Sequence, residues 1–208
     1  MEAIKLGALV IFHPLYAVDL IKRNSKKYSR IPALCLLLLT LIARIITILC
    51  QNYTVSGIEL ADVNFLLDIL VILVPFGSWI LVNYYMTEIL SGESRLGDIV
   101  SYTAYALLPY ILTTPIFIAA SWAMSDGLMP FYRLAETLVF AWVGILLFIG
   151  LMRSNDYGFW QAVLVALILI IFILLVWALL ILFFALISQT YMVITELLYE
   201  INIWGIAA

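Results

Sequence analysis

The chain has 208 residues, of which 66% are hydrophobic and only 11% are charged. A soluble domain usually carries about 25% charged residues to cover its water-facing surface, so these values exclude a soluble globular protein. The net charge of −3 and the single histidine also argue against a nucleic-acid-binding surface and a zinc site built from histidine and cysteine. We therefore predict an all-α integral membrane protein.

The first predicted element is residues 1–30, which hold six of the ten basic residues. His13-Pro14 breaks a short apolar helix, and the segment from Leu15 to Tyr28 then separates apolar from basic side chains. This pattern is typical of an amphipathic helix that lies on anionic lipid, although a charge cluster that stops translocation would look the same. The predicted membrane-surface contacts are Lys22, Arg23, Lys26, Lys27 and Arg30.

Five apolar stretches follow, each long enough to cross a bilayer, which takes about 20 mostly apolar residues. The fifth contains no charge in 28 residues. At 1.5 Å per residue it is longer than the ~30 Å hydrocarbon core, so it must tilt or protrude. The predicted membrane domain is 31–187, a bundle of five transmembrane helices with spans at about 31–50, 65–86, 99–125, 134–152 and 160–187.

Residues 188–208 form the last predicted element, an amphipathic helix. Apolar residues recur at spacings of three and four, which predicts one helix face. The segment has no basic residue, so attraction to anionic lipid does not hold it down. Either it lies in the outer interface through its apolar face, or it prolongs the fifth span and packs on a partner. The apolar positions are Tyr191, Ile194, Leu197, Leu198, Ile201 and Trp204.

The distribution of basic residues predicts the orientation. Eight of the ten, including Arg95 and Arg153, lie on the same side as the N-terminus, whereas Arg133 lies on the other side and Arg44 within a span. Because cytoplasmic loops are enriched in lysine and arginine, we expect a multi-pass cell-membrane protein with a cytoplasmic N-terminus and an extracytoplasmic C-terminus.

Three charged residues, Arg44, Asp68 and Glu136, fall at similar depth in the outer part of the predicted spans. A charge at this depth is costly and usually has a partner. Arg44 could pair with either carboxylate, and the sequence does not decide between them. One interpretation is a salt bridge that packs helices together; the other is a polar cavity or partner-binding site.

The third span contains two prolines, Pro109 and Pro115. Each proline removes a backbone hydrogen bond, and the hydroxyl groups of Thr113 and Thr114 are placed to satisfy freed carbonyls. We therefore predict a kinked helix around Tyr105, Pro109 and Pro115.

The sequence matches no familiar catalytic pattern. Gly92 and Gly97 have the spacing of phosphate-loop glycines, but Asp98 follows where that loop requires lysine. His13 lies outside the predicted spans, which argues against an intramembrane serine protease. We expect a protein that is not an enzyme and that has no cofactor or metal.

Several short runs resemble a known family when they are taken together in this order and spacing. They are His13-Pro14 followed by Asp19-Leu20-Ile21-Lys22, then Ser91-Gly92-Glu93, then Tyr105-Ala106-Leu107-Leu108-Pro109-Tyr110 with Pro115, then residues 138–150, and finally Tyr199-Glu200. With five spans and a cytoplasmic N-terminus, these runs resemble the Yip-domain family, the Ypt/Rab-interacting membrane proteins and their bacterial relatives.

The resemblance implies a role in binding other proteins. Eukaryotic members act in vesicle traffic through a long cytoplasmic N-terminal region, whereas only about 30 residues precede the first span here. The chain is more similar to the short bacterial members, some of which are thought to accompany ATP-binding-cassette importers for sugars. We expect a non-catalytic accessory subunit or scaffold that contacts the lipid bilayer and binds another integral membrane protein, such as a transporter permease, or another copy of itself.

Two alternatives remain open. One is a small transporter or channel with a polar path near Arg44, Asp68 and Glu136. The other is a membrane-shaping protein that acts through its interfacial helices.

Overall fold

A computed structural model of the chain describes residues 2–23, 31–56, 63–90 and 92–206. Helices account for nearly all of these residues, and no strand occurs among them, which confirms the predicted all-α membrane protein. The helices are α1 (Glu2–Phe12), α2 (Pro14–Arg23), α3 (Ile31–Cys50), α4 (Tyr53–Ser56), α5 (Phe65–Ile89), α6 (Leu96–Ala106), α7 (Leu108–Ala123), α8 (Met129–Ser154) and α9 (Phe159–Ile206), with a 3₁₀ turn at Asp126–Leu128.

Within the part of the chain that the structure describes, five helical segments are long and apolar enough to cross a membrane. Some begin or end several residues away from the predicted positions because capping groups, rather than apolar length, set the end of a helix. At the start of α5, where the predicted and observed positions agree, Asn64 Oδ1 accepts hydrogen bonds from the N–H groups of Leu66 and Leu67 at 3.2 and 3.3 Å. The segments are Ile31–Cys50, Phe65–Ile89, Leu96–Ala123, Met129–Ser154 and Phe159–Leu197.

Two compact units divide the chain, Met1–Leu169 and Ile170–Ala208. The first unit contains α1 to α8 and the beginning of α9, and the second contains the rest of α9. Residues 159–204 include neither glycine nor proline, the two residues that most readily end a helix. The predicted boundary between a fifth span and a separate tail therefore does not interrupt α9.

The N-terminal helices α1 and α2 contribute to the hydrophobic core of the first unit. Val18 and Ile21 are buried, whereas Leu15 is exposed. Val18 and Ile21 thus pack against other helices of the same unit, which offer them an apolar surface, whereas the sequence had suggested that they contact lipid. The core cluster contains Leu6, Val10, Ala17, Ile21, Tyr105, Ala106 and Leu146.

Polar contacts join the loops at one end of the first unit. The Gln51 side-chain N–H donates to the Tyr132 hydroxyl at 2.8 Å, and the Arg133 guanidinium donates to the Val55 carbonyl at 2.8 Å. The segment after α3 and the start of α8 therefore lie at the same end. The sequence predicts that this end is extracytoplasmic, and the orientation stays a prediction.

Candidate interaction site

Arg44 on α3 and Asp68 in the first turn of α5 form an ion pair between two spanning helices. Arg44 Nη2 lies 3.3 Å from Asp68 Oδ1, and the side chains are 32% and 21% exposed. Removing one member of a partly buried pair leaves the other charge without compensation, which costs more than the pair itself contributes. The pairing that the sequence left open is therefore between Arg44 and Asp68.

Glu136 pairs instead with Arg133, which lies three residues earlier on α8. Glu136 Oε2 is 3.1 Å from Arg133 Nη1. Arg44 and Glu136 nevertheless both line a small cavity of about 40 Å³. The three predicted charges thus lie in one region of the bundle but belong to two separate ion pairs.

A larger cavity of about 320 Å³ also includes Arg44 in its lining. Residues of α3, α5, α7 and α8 surround it, together with the residue between α6 and α7. Among the lining residues that the structure describes, Arg44 carries the charge and most of the others are apolar. They are Thr40, Arg44, Val71, Ile72, Pro75, Phe76, Leu107, Tyr110 and Phe140.

The third span is interrupted at Leu107, where α6 ends and α7 begins. The Leu107 N–H donates to the Ala104 carbonyl at 3.3 Å, which is a turn tighter than the α-helix. Pro109 follows two residues later and has no N–H to donate to the Tyr105 carbonyl. The sequence predicted a kink around Tyr105 and Pro109, and the break lies between these residues.

Two threonine hydroxyl groups donate hydrogen bonds to backbone carbonyls that follow the break. Thr113 Oγ1 donates to the Pro109 carbonyl and Thr114 Oγ1 to the Tyr110 carbonyl, each at 2.8 Å. Pro115 lies inside α7 without ending it. The carbonyls that lose a donor to the prolines are those of Tyr105 and Ile111, four residues before each proline. The hydroxyls of Thr113 and Thr114 bond to other carbonyls, so these bonds do not fill the role that the sequence assigned to them.

Ion pairs join α2 to the loops at the other end of the first unit. Lys22 Nζ lies 2.8 Å from Glu93 Oε2 and 2.5 Å from Asp156 Oδ2. Arg153 Nη2 lies 2.9 Å from Asp19 Oδ2. The N-terminal helices, the segment before α6 and the segment after α8 are thus held together at one end, and we call these contacts the α2 latch.

The charges of the α2 latch reinforce one another. Burial of Lys22 lowers its pKa, but the hydrogen bonds to Asp156 and Glu93 outweigh that effect, so the pKa is raised overall. The hydrogen bond from Lys22 is the main reason that the pKa of Asp156 is lowered. Both groups therefore remain charged over a wider pH range than they would in the unfolded chain.

The five basic residues predicted at the membrane surface have different environments. Lys22 is engaged in the α2 latch, and Arg23 is exposed. Lys26, Lys27 and Arg30 lie outside the described residues. Contact of these residues with lipid stays a prediction.

Comparison with known protein families finds the Yip1 domain, whose model matches residues 8–182. The chain belongs to the Yip1-domain family. This match confirms the resemblance seen in the sequence, and the family suggests a membrane protein with a role in protein interaction or trafficking. Neither curated proteins nor solved structures yield a match.

The Yip1-domain match covers the last five residues of α1, all of α2 to α8 and the first half of α9. The α2 latch, the Arg44–Asp68 pair and the interrupted third span therefore all lie within the family domain. The second half of α9 lies beyond it.

Sequence reasoning missed a group of buried polar residues next to the α2 latch of this Yip1-domain protein. Ser94 Oγ donates to Ser154 Oγ at 2.6 Å, and the Ser94 N–H donates to Asn155 Oδ1 at 3.2 Å. A Cβ atom at Gly92 would lie 2.5 Å from Asn155 Oδ1 and 2.6 Å from the Tyr157 hydroxyl. A side chain at position 92 would therefore force the Asn155 and Tyr157 side chains to move, and the Ser91-Gly92-Glu93 run was the available signal.

A second missed contact joins three spans. Asn83 on α5 donates a side-chain hydrogen bond to the Tyr102 hydroxyl on α6, and both residues are buried. The Tyr102 ring packs directly on Gly150 of α8, where an added Cβ atom would overlap it. The absence of a side chain at Gly150 thus sets how closely α6 and α8 approach.

Proposed function

We propose that this Yip1-domain protein is a non-catalytic accessory subunit or scaffold that binds another integral membrane protein. The observation that supports the proposal is the apolar length of α9. Its segment Phe159–Leu197 has 39 residues and is apolar enough to span a membrane. At 1.5 Å per residue it is about 58 Å long, roughly twice the ~30 Å hydrocarbon core.

Part of the apolar surface of α9 extends beyond the thickness of the hydrocarbon core, and we expect another molecule to bury it. Within the second unit, every residue from Ala178 to Leu197 is exposed, including Phe184 at 66% and Tyr191 at 69%. Apolar surface outside the hydrocarbon core favours burial by about 25 cal/mol per Å². An apolar helix that continues beyond a bilayer therefore favours association with a protein that also crosses or borders the membrane.

The expected partner is an integral membrane protein because the exposed surface is continuous with the membrane-spanning part of α9. From the family resemblance, the first candidate is a permease of an ATP-binding-cassette sugar transporter. A second copy of the chain is the other occupant that would bury the same surface.

The test is purification of the tagged protein from its native membranes in mild detergent, with mass spectrometry of the proteins recovered with it. We expect stoichiometric recovery of a second integral membrane protein. The triple variant Tyr191→Ala, Ile194→Ala and Leu197→Ala should lose that protein. A matched triple variant on the opposite helix face, Thr195→Ala, Glu196→Ala and Tyr199→Ala, should retain it.

Recovery of the protein alone, or only with copies of itself, would contradict the accessory-subunit proposal. Equal loss of the partner from both triple variants would contradict the assignment of the binding face.

The alternative function is a small transporter with a polar path near Arg44, Asp68 and Glu136. It predicts solute flux by the purified protein in liposomes and loss of that flux in Arg44→Ala. Two observations favour the accessory subunit instead. Glu136 pairs with Arg133 rather than Arg44, and the larger cavity beside Arg44 is mainly apolar.

A further inference from the structure

The 320 Å³ cavity beside Arg44 has the composition of a ligand site. Small-molecule sites typically enclose about 300–1,000 Å³ and combine apolar walls with a few polar groups. Here the walls are mainly apolar, and the polar groups are Arg44, Thr40 and Tyr110. A matching ligand is therefore largely apolar and carries one negative group.

A proline inside one spanning helix and a break in another meet at this cavity. Pro75 lies inside α5 and has no N–H to donate to the Val71 carbonyl, and Leu107 separates α6 from α7. Both residues line the cavity. Pro75 lies about 15 Å along α5, and Arg44 about 20 Å along α3, at 1.5 Å per residue. Backbone groups without hydrogen bonds and charged side chains at membrane depth cost free energy, so a region that combines them is a candidate for function.

Arg44 retains hydrogen-bonding capacity toward a ligand. Its contact with Asp68 involves Nη2 and is long, at 3.3 Å. Its Nε is buried and has no hydrogen-bond acceptor among the described residues. The buried Nε is out of reach of a ligand in the cavity. A guanidinium has five N–H donors, so a carboxylate in the cavity can accept a charge-assisted hydrogen bond from Arg44 while the contact with Asp68 is kept.

The size of the cavity and its opening narrow the ligand class. Val71 and Phe140 line the cavity and are 63% and 50% exposed, so it opens on the lipid-facing surface between spans. Its 320 Å³ equals about ten water-sized volumes of ~30 Å³. This space accommodates much of one hydrocarbon chain but not the two chains of a phospholipid.

We propose that the cavity binds a fatty acid from the bilayer. Its carboxylate contacts Arg44, and its chain lies against Val71, Ile72, Phe76 and Leu107. Such a site would make the packing of the first four spans responsive to free fatty acid in the membrane.

The test is binding of radiolabelled dodecanoate and dodecanol to the full-length protein in nanodiscs, with empty nanodiscs as background. We expect dodecanoate to bind about tenfold or more tightly than dodecanol, because a charge-assisted hydrogen bond contributes that much. Arg44→Gln should abolish the difference. Arg133→Gln should preserve the difference in affinity. This variant also removes one positive charge from an ion pair, but Arg133 does not line the cavity.

A second variant does not depend on the Arg44 ion pair. Val71→Trp places a large side chain at an exposed position on the cavity wall, so it should weaken both ligands without disturbing the core. Equal affinity for dodecanoate and dodecanol in the unaltered protein would overturn the proposal. An unchanged preference in Arg44→Gln, or unchanged binding in Val71→Trp, would also overturn it. Arg44 and Val71 lie outside α9, so the outcome of this ligand-binding test does not depend on whether α9 binds a partner protein.

Discussion

Lys22 Nζ lies 2.5 Å from Asp156 Oδ2, and this contact joins the N-terminal helix α2 to the loop between the fourth and fifth spans. Arg153, three residues before Asp156, contacts Asp19 of the same helix at 2.9 Å. Lys22 and Asp19 of α2 thus contact other parts of the protein. The α2 latch and the buried residues of α2 together make the N-terminal segment part of the bundle.

Loss of the α2 latch should destabilise the N-terminal helices. Lys22→Gln removes two ion pairs at once, and we expect it to lower the free energy of unfolding by about 1 kcal/mol or less, because the carboxylate partners are largely exposed. The neighbouring Arg23→Gln removes the same charge from an exposed residue and should have little effect. The stability of both variants can be measured by thermal unfolding in nanodiscs and by the rate of proteolysis within residues 1–30. Equal cleavage of the two variants would contradict the latch.

The α2 latch should also depend on pH. The pKa of Asp156 is lowered from 3.8, so its stabilising contribution is present above that value and is lost as the pH falls through the lowered pKa. The pKa of Lys22 is raised from 10.5, so its contribution is present below 10.5 and is lost as the pH rises through the raised pKa.

Proteolysis of the N-terminal helices should therefore be uniformly slow between about pH 4 and 10. It should accelerate below and above that range, measured by pulses of proteases active at each pH. The Lys22→Gln variant should show a smaller change at both limits. A midpoint near pH 6–7 would point to a different titrating group.

Gly92 should not tolerate a side chain. In Gly92→Ala the Cβ atom would lie 2.5 Å from Asn155 Oδ1 and 2.6 Å from the Tyr157 hydroxyl, and such overpacking typically costs about 1–3 kcal/mol. Gly158→Ala is the matched control in the same region, since no atom lies within 4 Å of its added Cβ. A melting temperature that falls in both variants, or in neither, would contradict the close approach.

Gly150 should be equally intolerant because the Tyr102 ring lies directly against it. We expect Gly150→Ala to destabilise the protein by about 1–3 kcal/mol. Gly144→Ala lies on the same helix with no atom within 4 Å, and it should be neutral or stabilising by up to about 1 kcal/mol because alanine favours helix. Chemical unfolding of the two variants side by side makes the comparison. Equal stability of the two variants would mean that the contact between Tyr102 and Gly150 does not set how closely α6 and α8 approach.

The membrane spans were predictable because apolar length alone identifies them, and the break near Pro109 was predictable because proline cannot donate a backbone hydrogen bond. The Arg44–Asp68 pair was only half predictable. Two carboxylates lay at similar depth, and the choice depends on the rotation of α5 and α8 about their axes, which no local pattern specifies.

The packing of α2 was not predictable from its amphipathic pattern. An apolar face suits lipid and a protein core equally well, so Val18 and Ile21 carry the same signal in either environment. The role of Gly150 was hidden for a related reason. A lone glycine in a spanning helix indicates close approach only when the facing residue, here Tyr102, is known.

The central claim is that α9 binds another integral membrane protein, and crosslinking in the native membrane tests it most directly. A photoreactive amino acid would replace Ile181 or Ile194, which are 70% and 49% exposed, and irradiation would precede any use of detergent. We predict an adduct with a second, distinct integral membrane protein at one or both positions, and none from an equivalent label at exposed Leu38 of α3. Adducts with lipid alone, or only with another copy of this chain, would contradict the claim.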